Sequence, residues 1–132
     1  MPGIFPINAI SRALHKRHRD RDLAAAASWP LAEAKLLKPV IVAKDELAEG
    51  TAAQDSQLEI PYYFTLSGEG PASGFFGGHV RSAAMSYSEA GRMMARIEEG
   101  TLVRVRYNPQ DPDHSHTLAA DNADLPFTVW SS

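Results

Sequence analysis

The residue pattern predicts an α+β, mainly β domain: a small antiparallel sheet or open barrel with one packed helix and an N-terminal helix. Three observations lead there. Leu58, Ile60, Tyr62, Phe64 and Leu66 alternate with Glu59, Pro61, Tyr63, Thr65 and Ser67, the period of two that a half-buried strand requires. Val103, Val105 and Tyr107 alternate in the same way with Arg104 and Arg106. Between them Ala90, Met93, Met94 and Ile97 fall at helical spacing, introduced by Ser86 and Glu89 in capping-box order and stopped by Gly100.

Taken in chain order, residues 7 to 27 read as helix, because Ile7, Ile10 and Leu14 lie on one face and Leu23 to Ala27 are strong helix formers between Pro6 and Pro30. Its middle, His15 to Asp22, is polar, so the apolar stripe stops and the helix is expected to project from the body. Glu33 to Lys44 reads as a first strand, with Pro39 marking an edge or a bulge. Asp45 to Ser56 lacks either period and reads as an exposed loop. After the Leu58 to Ser67 strand, Gly68, Gly70, Pro71 and Gly74 supply a turn, and Phe75 to Arg81 returns as the antiparallel partner. The helix is expected over Ser88 to Glu99, and the next strand over Thr101 to Tyr107, closed by Pro109 and Pro112. His116 to Ala119 and Phe127 to Trp130 are candidate short strands around a turn at Asp121 to Asp124. The division is thus a basic N-terminal helix, 1–28, and a single β-rich domain, 29–132.

Composition narrows the classes. With 132 residues, 44% hydrophobic and 22% charged, the chain has the makings of one core. The absence of cysteine excludes disulfides and thiolate metal sites and suits a cytoplasmic setting. Basic residues interrupt the early apolar positions, so neither a signal peptide nor a transmembrane segment is expected. A net charge of −3 argues against a surface devoted to nucleic acid.

Trp29-Pro30, Tyr62-x-Phe64-x-Leu66-x-Gly68, the helix ending at Gly100, and Val103-x-Val105-x-Tyr107-Asn108-Pro109-x-x-Pro112 together resemble an uncharacterised bacterial family, domain of unknown function 3592. Its members are small β-rich domains often attached to transmembrane helices. The resemblance spans Trp29 to Leu118, and Gly100 to Pro112 is its most specific part. Ala34 stands where the family usually has a glycine. What the resemblance implies is a fold and an order of elements, with no activity and no cofactor.

No arrangement of residues makes a convincing catalytic centre, and the first functional expectation is a non-catalytic binding or scaffolding module. Arg12, Lys16, Arg17, Arg19 and Arg21 oppose only Asp20 and Asp22. With Ile7, Ile10 and Leu14 alongside, this segment suits association with a second copy, another protein or an anionic membrane surface, and the association residues are Ile7, Ile10, Leu14, Arg17 and Arg21. Asp111, Asp113, His114 and His116 form the cluster with metal-ligand chemistry, and the alternative they carry is a metal-assisted hydrolase. A His-x-His pair on a strand places both rings on one face, but no further ligand is evident in the sequence. Tyr63, Arg104 and Arg106 carry a third alternative, a single-strand nucleic-acid binder using an aromatic ring beside cations.

Overall fold

The computed structural model describes residues 21–43, 55–67 and 73–132. Of the expected N-terminal helix, residues 21–26 are described and are helical; this stretch is α1. Ile7, Ile10, Leu14 and Arg17 lie outside the described residues.

Among the described residues six antiparallel strands follow, organised by the longest of them, β3 (Ser56–Leu66), whose buried and half-buried residues alternate along most of its length. One edge of β3 carries β4 (Gly74–Arg81), in register from Glu59–Arg81 to Leu66–Gly74. The other edge is shared by β1 (Leu31–Leu36) and β2 (Val40–Ala43), which pair Tyr62–Tyr63 and Ser56–Glu59 respectively. The expected first strand is therefore two strands. Pro39, which has no N–H to donate, sits in the break, and the backbone there turns to other partners, with Leu37 N donating to Pro61 O at 2.8 Å.

Outward from β1 lie β5 (Leu102–Asn108) and then β6 (Asp111–Thr117), giving the order β4-β3-β1-β5-β6 with β2 beside the start of β3. The sheet curls into an open barrel, and its two ends approach each other. Gly77 N on β4 donates to Asp113 Oδ1 on β6 at 3.4 Å, and the Tyr62 hydroxyl meets Ser115 Oγ at 2.6 Å across the interior. Burial raises the pKa of Tyr62, and the Ser115 hydrogen bond offsets part of that rise. The Tyr62 ring passes directly under Gly78: a Cβ there would stand 2.6 Å from Tyr62 Cζ and 3.0 Å from Ser115 Oγ.

Leu36, Leu58, Ile60, Tyr62, Phe64, Val80, Val103 and Val105 fill the barrel, so the inward face expected from the alternation is the buried one. α2 (Tyr87–Met94) covers it through Ala90. Ser86 caps the helix as expected, its Oγ accepting from Glu89 N at 3.1 Å. The helix is shorter than the expected Ser88 to Glu99. After Met94 the bonds tighten, Arg96 N to Met93 O at 3.0 Å and Ile97 N to Met94 O at 3.2 Å, which turns Ile97 into the core. Gly100, at φ +89°, then reverses the chain into β5.

Two expectations about the C-terminal third are corrected. Asn108 to Asp111 makes a tight hairpin turn, in which Asn108 pairs with Asp111 and Asn108 Oδ1 accepts from Gln110 N at 2.9 Å. β6 consequently starts at Asp111, earlier than the expected His116, with Pro112 tolerated on an outer strand. Phe127 to Trp130 forms no strand. It closes the barrel through isolated bonds, Thr117 Oγ1 to Trp130 O at 2.7 Å and Ser132 N to Thr117 O at 3.0 Å. Beyond Thr117, buried Asn122 replaces the missing ladder: its Oδ1 accepts from Arg104 N at 2.8 Å and its Nδ2 donates to Arg104 O at 3.0 Å. Among the described residues no helix is long and apolar enough to cross a membrane.

Candidate functional site

The outer surface of β5 and β6 is where α1 meets the barrel. Side chains alternate along β6, so Ser115 and Thr117 point inward while His114 and His116 share the outer face with Arg106, which pairs with His116 across the ladder. The chain from α1 bends at Ser28, whose Oγ donates to Ala25 O at 2.9 Å, and delivers Trp29 onto the two imidazoles. Its ring lies edge-on to His114 at 5.1 Å between centroids and stacked on His116 at 5.9 Å. Arg106 fastens the same residue through its backbone, Nη1 donating to Trp29 O at 3.0 Å.

Arg106 is itself held. Its Nε and Nη2 grip Asp121 in a bidentate pair, both contacts at 2.9 Å, with side chains only 21% and 14% exposed. The hydrogen bond to Arg106 holds the Asp121 carboxyl below the usual carboxylate range and raises Arg106 in return. Arg104 pairs likewise with Asp124, at 2.8 and 3.3 Å.

On the other side of Trp29 the two histidines meet, His116 Nε2 lying 3.3 Å from His114 Nε2. Asp22 of α1 approaches them, its Oδ2 lying 3.8 Å from His114 Nε2, and one ligand atom from each of the three residues falls within 4.8 Å of the others. His116 Nδ1 lies 2.9 Å from Ser132 O. A carbonyl oxygen can only accept, so the proton sits on Nδ1 and the lone pair of the neutral ring is on Nε2, facing the cluster. Burial depresses the pKa of His116, with the Ser132 bond opposing that effect and His114 adding to it, so the neutral ring is the favoured form.

The structure thus brings together part of the expected metal cluster. His114 and His116 converge, whereas Asp113 points toward Gly77 and Asp111 stands exposed at the hairpin, outside the convergent group. The carboxylate that joins the histidines is Asp22, which in the sequence shows only as one acid in a basic stretch. Trp29 was visible as half of Trp29-Pro30, without any sign of what it touches. Tyr63 is on the outer face, stacked on Phe75 at 5.0 Å, but β1 lies between it and Arg104, and both arginines of the nucleic-acid set are already paired with aspartates. Arg21, at the start of the described α1, is exposed.

The fold defines the class: a small, mainly β, antiparallel open barrel with a covering helix. The family model described as "Domain of unknown function (DUF3592)" matches residues 44–121, more than half of the chain, and the protein belongs to that family. The matched span takes in His114, His116 and the Tyr107-Asn108-Pro109 turn and leaves out Asp22, Trp29 and β1. The chain matches no curated protein and no solved structure.

Proposed function

We propose that the protein is a non-catalytic binding or scaffolding module that associates with a second protein chain, in the first instance another copy of itself, through the segment that ends in α1. The observation behind this reading is the junction. Trp29 is stacked on His116, bonded through its carbonyl to Arg106, and backed by the Arg106–Asp121 pair. An anchor of that kind fixes where α1 joins the barrel, and the basic, partly apolar sequence that precedes α1 has the composition of an association element. Nucleic acid is the weaker reading, because Arg104 and Arg106 have their charge met by Asp124 and Asp121. A bacterial, cytoplasmic setting belongs to the same proposal and rests on the family resemblance and the cysteine-free chain.

Sedimentation equilibrium tests it. The intact chain is expected to be dimeric or larger, and a chain starting at residue 21 monomeric, with the sheet signal in circular dichroism and a cooperative melt retained. An intact monomer that floats with phosphatidylserine vesicles at low salt and releases at high salt would replace the protein partner with a membrane surface. A monomer that ignores the vesicles would refute association altogether.

A further inference from the structure

We propose that Asp22, His114 and His116 bind a divalent transition-metal ion, of the zinc or cobalt class, where α1 meets β6. This goes beyond the association reading and does not depend on it. Four features of the junction carry it.

The donors are right in kind. Two imidazole nitrogens and one carboxylate oxygen are the ligands that zinc, cobalt and related ions prefer, whereas calcium and magnesium select all-oxygen sets. The spacing is right as well. Two metal–nitrogen bonds of about 2.0–2.1 Å at the tetrahedral angle place the nitrogens about 3.3–3.4 Å apart, and the two Nε2 atoms stand 3.3 Å apart. Asp22 Oδ2 stands 3.8 Å from His114 Nε2, with the three ligand atoms all within 4.8 Å of one another, and the carboxylate would move in toward the two nitrogens to complete a third corner. Further, the ligand rings are oriented from behind. Ser132 O takes the Nδ1 proton of His116 and leaves the Nε2 lone pair for a cation, and Trp29 packs against both rings. Lastly, two neutral imidazoles and one carboxylate leave a formal charge of −1, which favours a cation over an anion or a neutral ligand. The remaining tetrahedral corner faces outward, since the Asp22 and His114 side chains are 49% and 40% exposed, so a water molecule would complete the shell.

Without an ion the same atoms satisfy one another, His114 Nε2–H donating to His116 Nε2 and Asp22 standing by as counter-charge. Binding therefore needs His114 to carry its ring proton on Nδ1 instead of Nε2, a change of tautomer with no net proton release, and it ties α1 to β6 across a long stretch of sequence.

The test uses untagged full-length protein titrated with Co²⁺, followed by its visible d–d absorption, and with Zn²⁺ by calorimetry. Expected are one ion per chain with a four-coordinate cobalt spectrum, an affinity at least about 100-fold weaker in His116→Ala and in His114→Gln, and unchanged binding in Asp111→Asn and Asp113→Asn. Asp22→Asn should weaken binding by about tenfold or more and remove the protection that Zn²⁺ gives the Arg21–Asp22 bond against trypsin. Thermal melts of the metal-free variants verify that each still folds; if His116→Ala does not, His114→Gln alone decides. No binding of either ion would overturn the proposal. So would binding that survives both histidine variants, or that is lost instead in His15→Ala with His18→Ala.

Discussion

Truncating Phe64 to alanine should cost about 3–5 kcal/mol of folding stability, the usual range for removing a large ring from a core. Phe64 is 2% exposed and packs against three other rings, Tyr107 at 5.7 Å, Phe76 at 5.8 Å and Tyr62 at 6.4 Å between centroids. Each aromatic contact is worth about 0.5–1.5 kcal/mol beyond burial, which favours the upper half of the range. In a domain of this size such a loss lowers the melting temperature by roughly 10–20 °C. The comparison is Tyr63→Ala, one residue along and on the opposite face, where the loss is a single half-exposed stack on Phe75 and should cost about 0.5–1.5 kcal/mol. Urea unfolding with a common m-value measures both. If Phe64→Ala cost less than about 1 kcal/mol while Tyr63→Ala cost about 3, β3 would present the other face to the core and the register described above would be wrong.

Other consequences follow from single groups. Asn122→Ala strips partners from both Arg104 N and Arg104 O where no strand can replace them, and should destabilise by about 2–4 kcal/mol in the same urea assay. Asn108→Ala loses only the bond from Gln110 N at the hairpin and should cost about 0.5–1.5 kcal/mol, leaving oligomeric state and metal binding untouched. Gly78→Ala pushes a methyl group into the Tyr62 ring and should cost about 1–3 kcal/mol, with loss of the Tyr62–Ser115 bond visible as a changed tyrosine absorption titration. Asp121 binds its proton less tightly folded than unfolded, so its contribution is present above the unfolded carboxylate value of about 4 and is lost as pH falls through its lowered folded value. Urea midpoints measured from about pH 5 down to pH 2 should therefore fall in the native chain and fall less steeply in Asp121→Asn.

Local pattern carried most of the fold. The alternation in β3 and β5 fixes which residues are buried because a strand has only two faces, and Ser86 with Glu89 marks the start of α2 because a helix leaves its first N–H groups unpaired. Where local pattern was ambiguous, tertiary bonds decided. Pro39 splits a strand that hydrophobicity joins, and Ile97 ends α2 early because the core draws it in. Phe127 to Trp130 has the composition of a strand, yet meets Thr117 through single bonds rather than a ladder. The site was half legible. His-x-His on a strand announces two rings on one face, but Asp22 and Trp29 reach them only through the curl of the sheet and the path of α1, which no spacing in the sequence records. Arg104 and Arg106 looked like free cations for the same reason, since Asp124 and Asp121 become their partners only when the Ala119–Asn122 turn folds back.

The junction at Trp29 underlies the association reading, and it can be read directly from that one ring. The chain has two tryptophans, so Trp130→Phe leaves Trp29 as the sole indole emitter. Time-resolved fluorescence anisotropy of that variant should decay with the rotation of the whole molecule and without a sub-nanosecond component, and the emission should shift toward that of a hydrated indole in the His114→Ala, His116→Ala background, where the packed rings are gone. Fast local depolarisation with the emission of a fully hydrated indole, unchanged by removing the histidines, would mean that α1 is not anchored to β6.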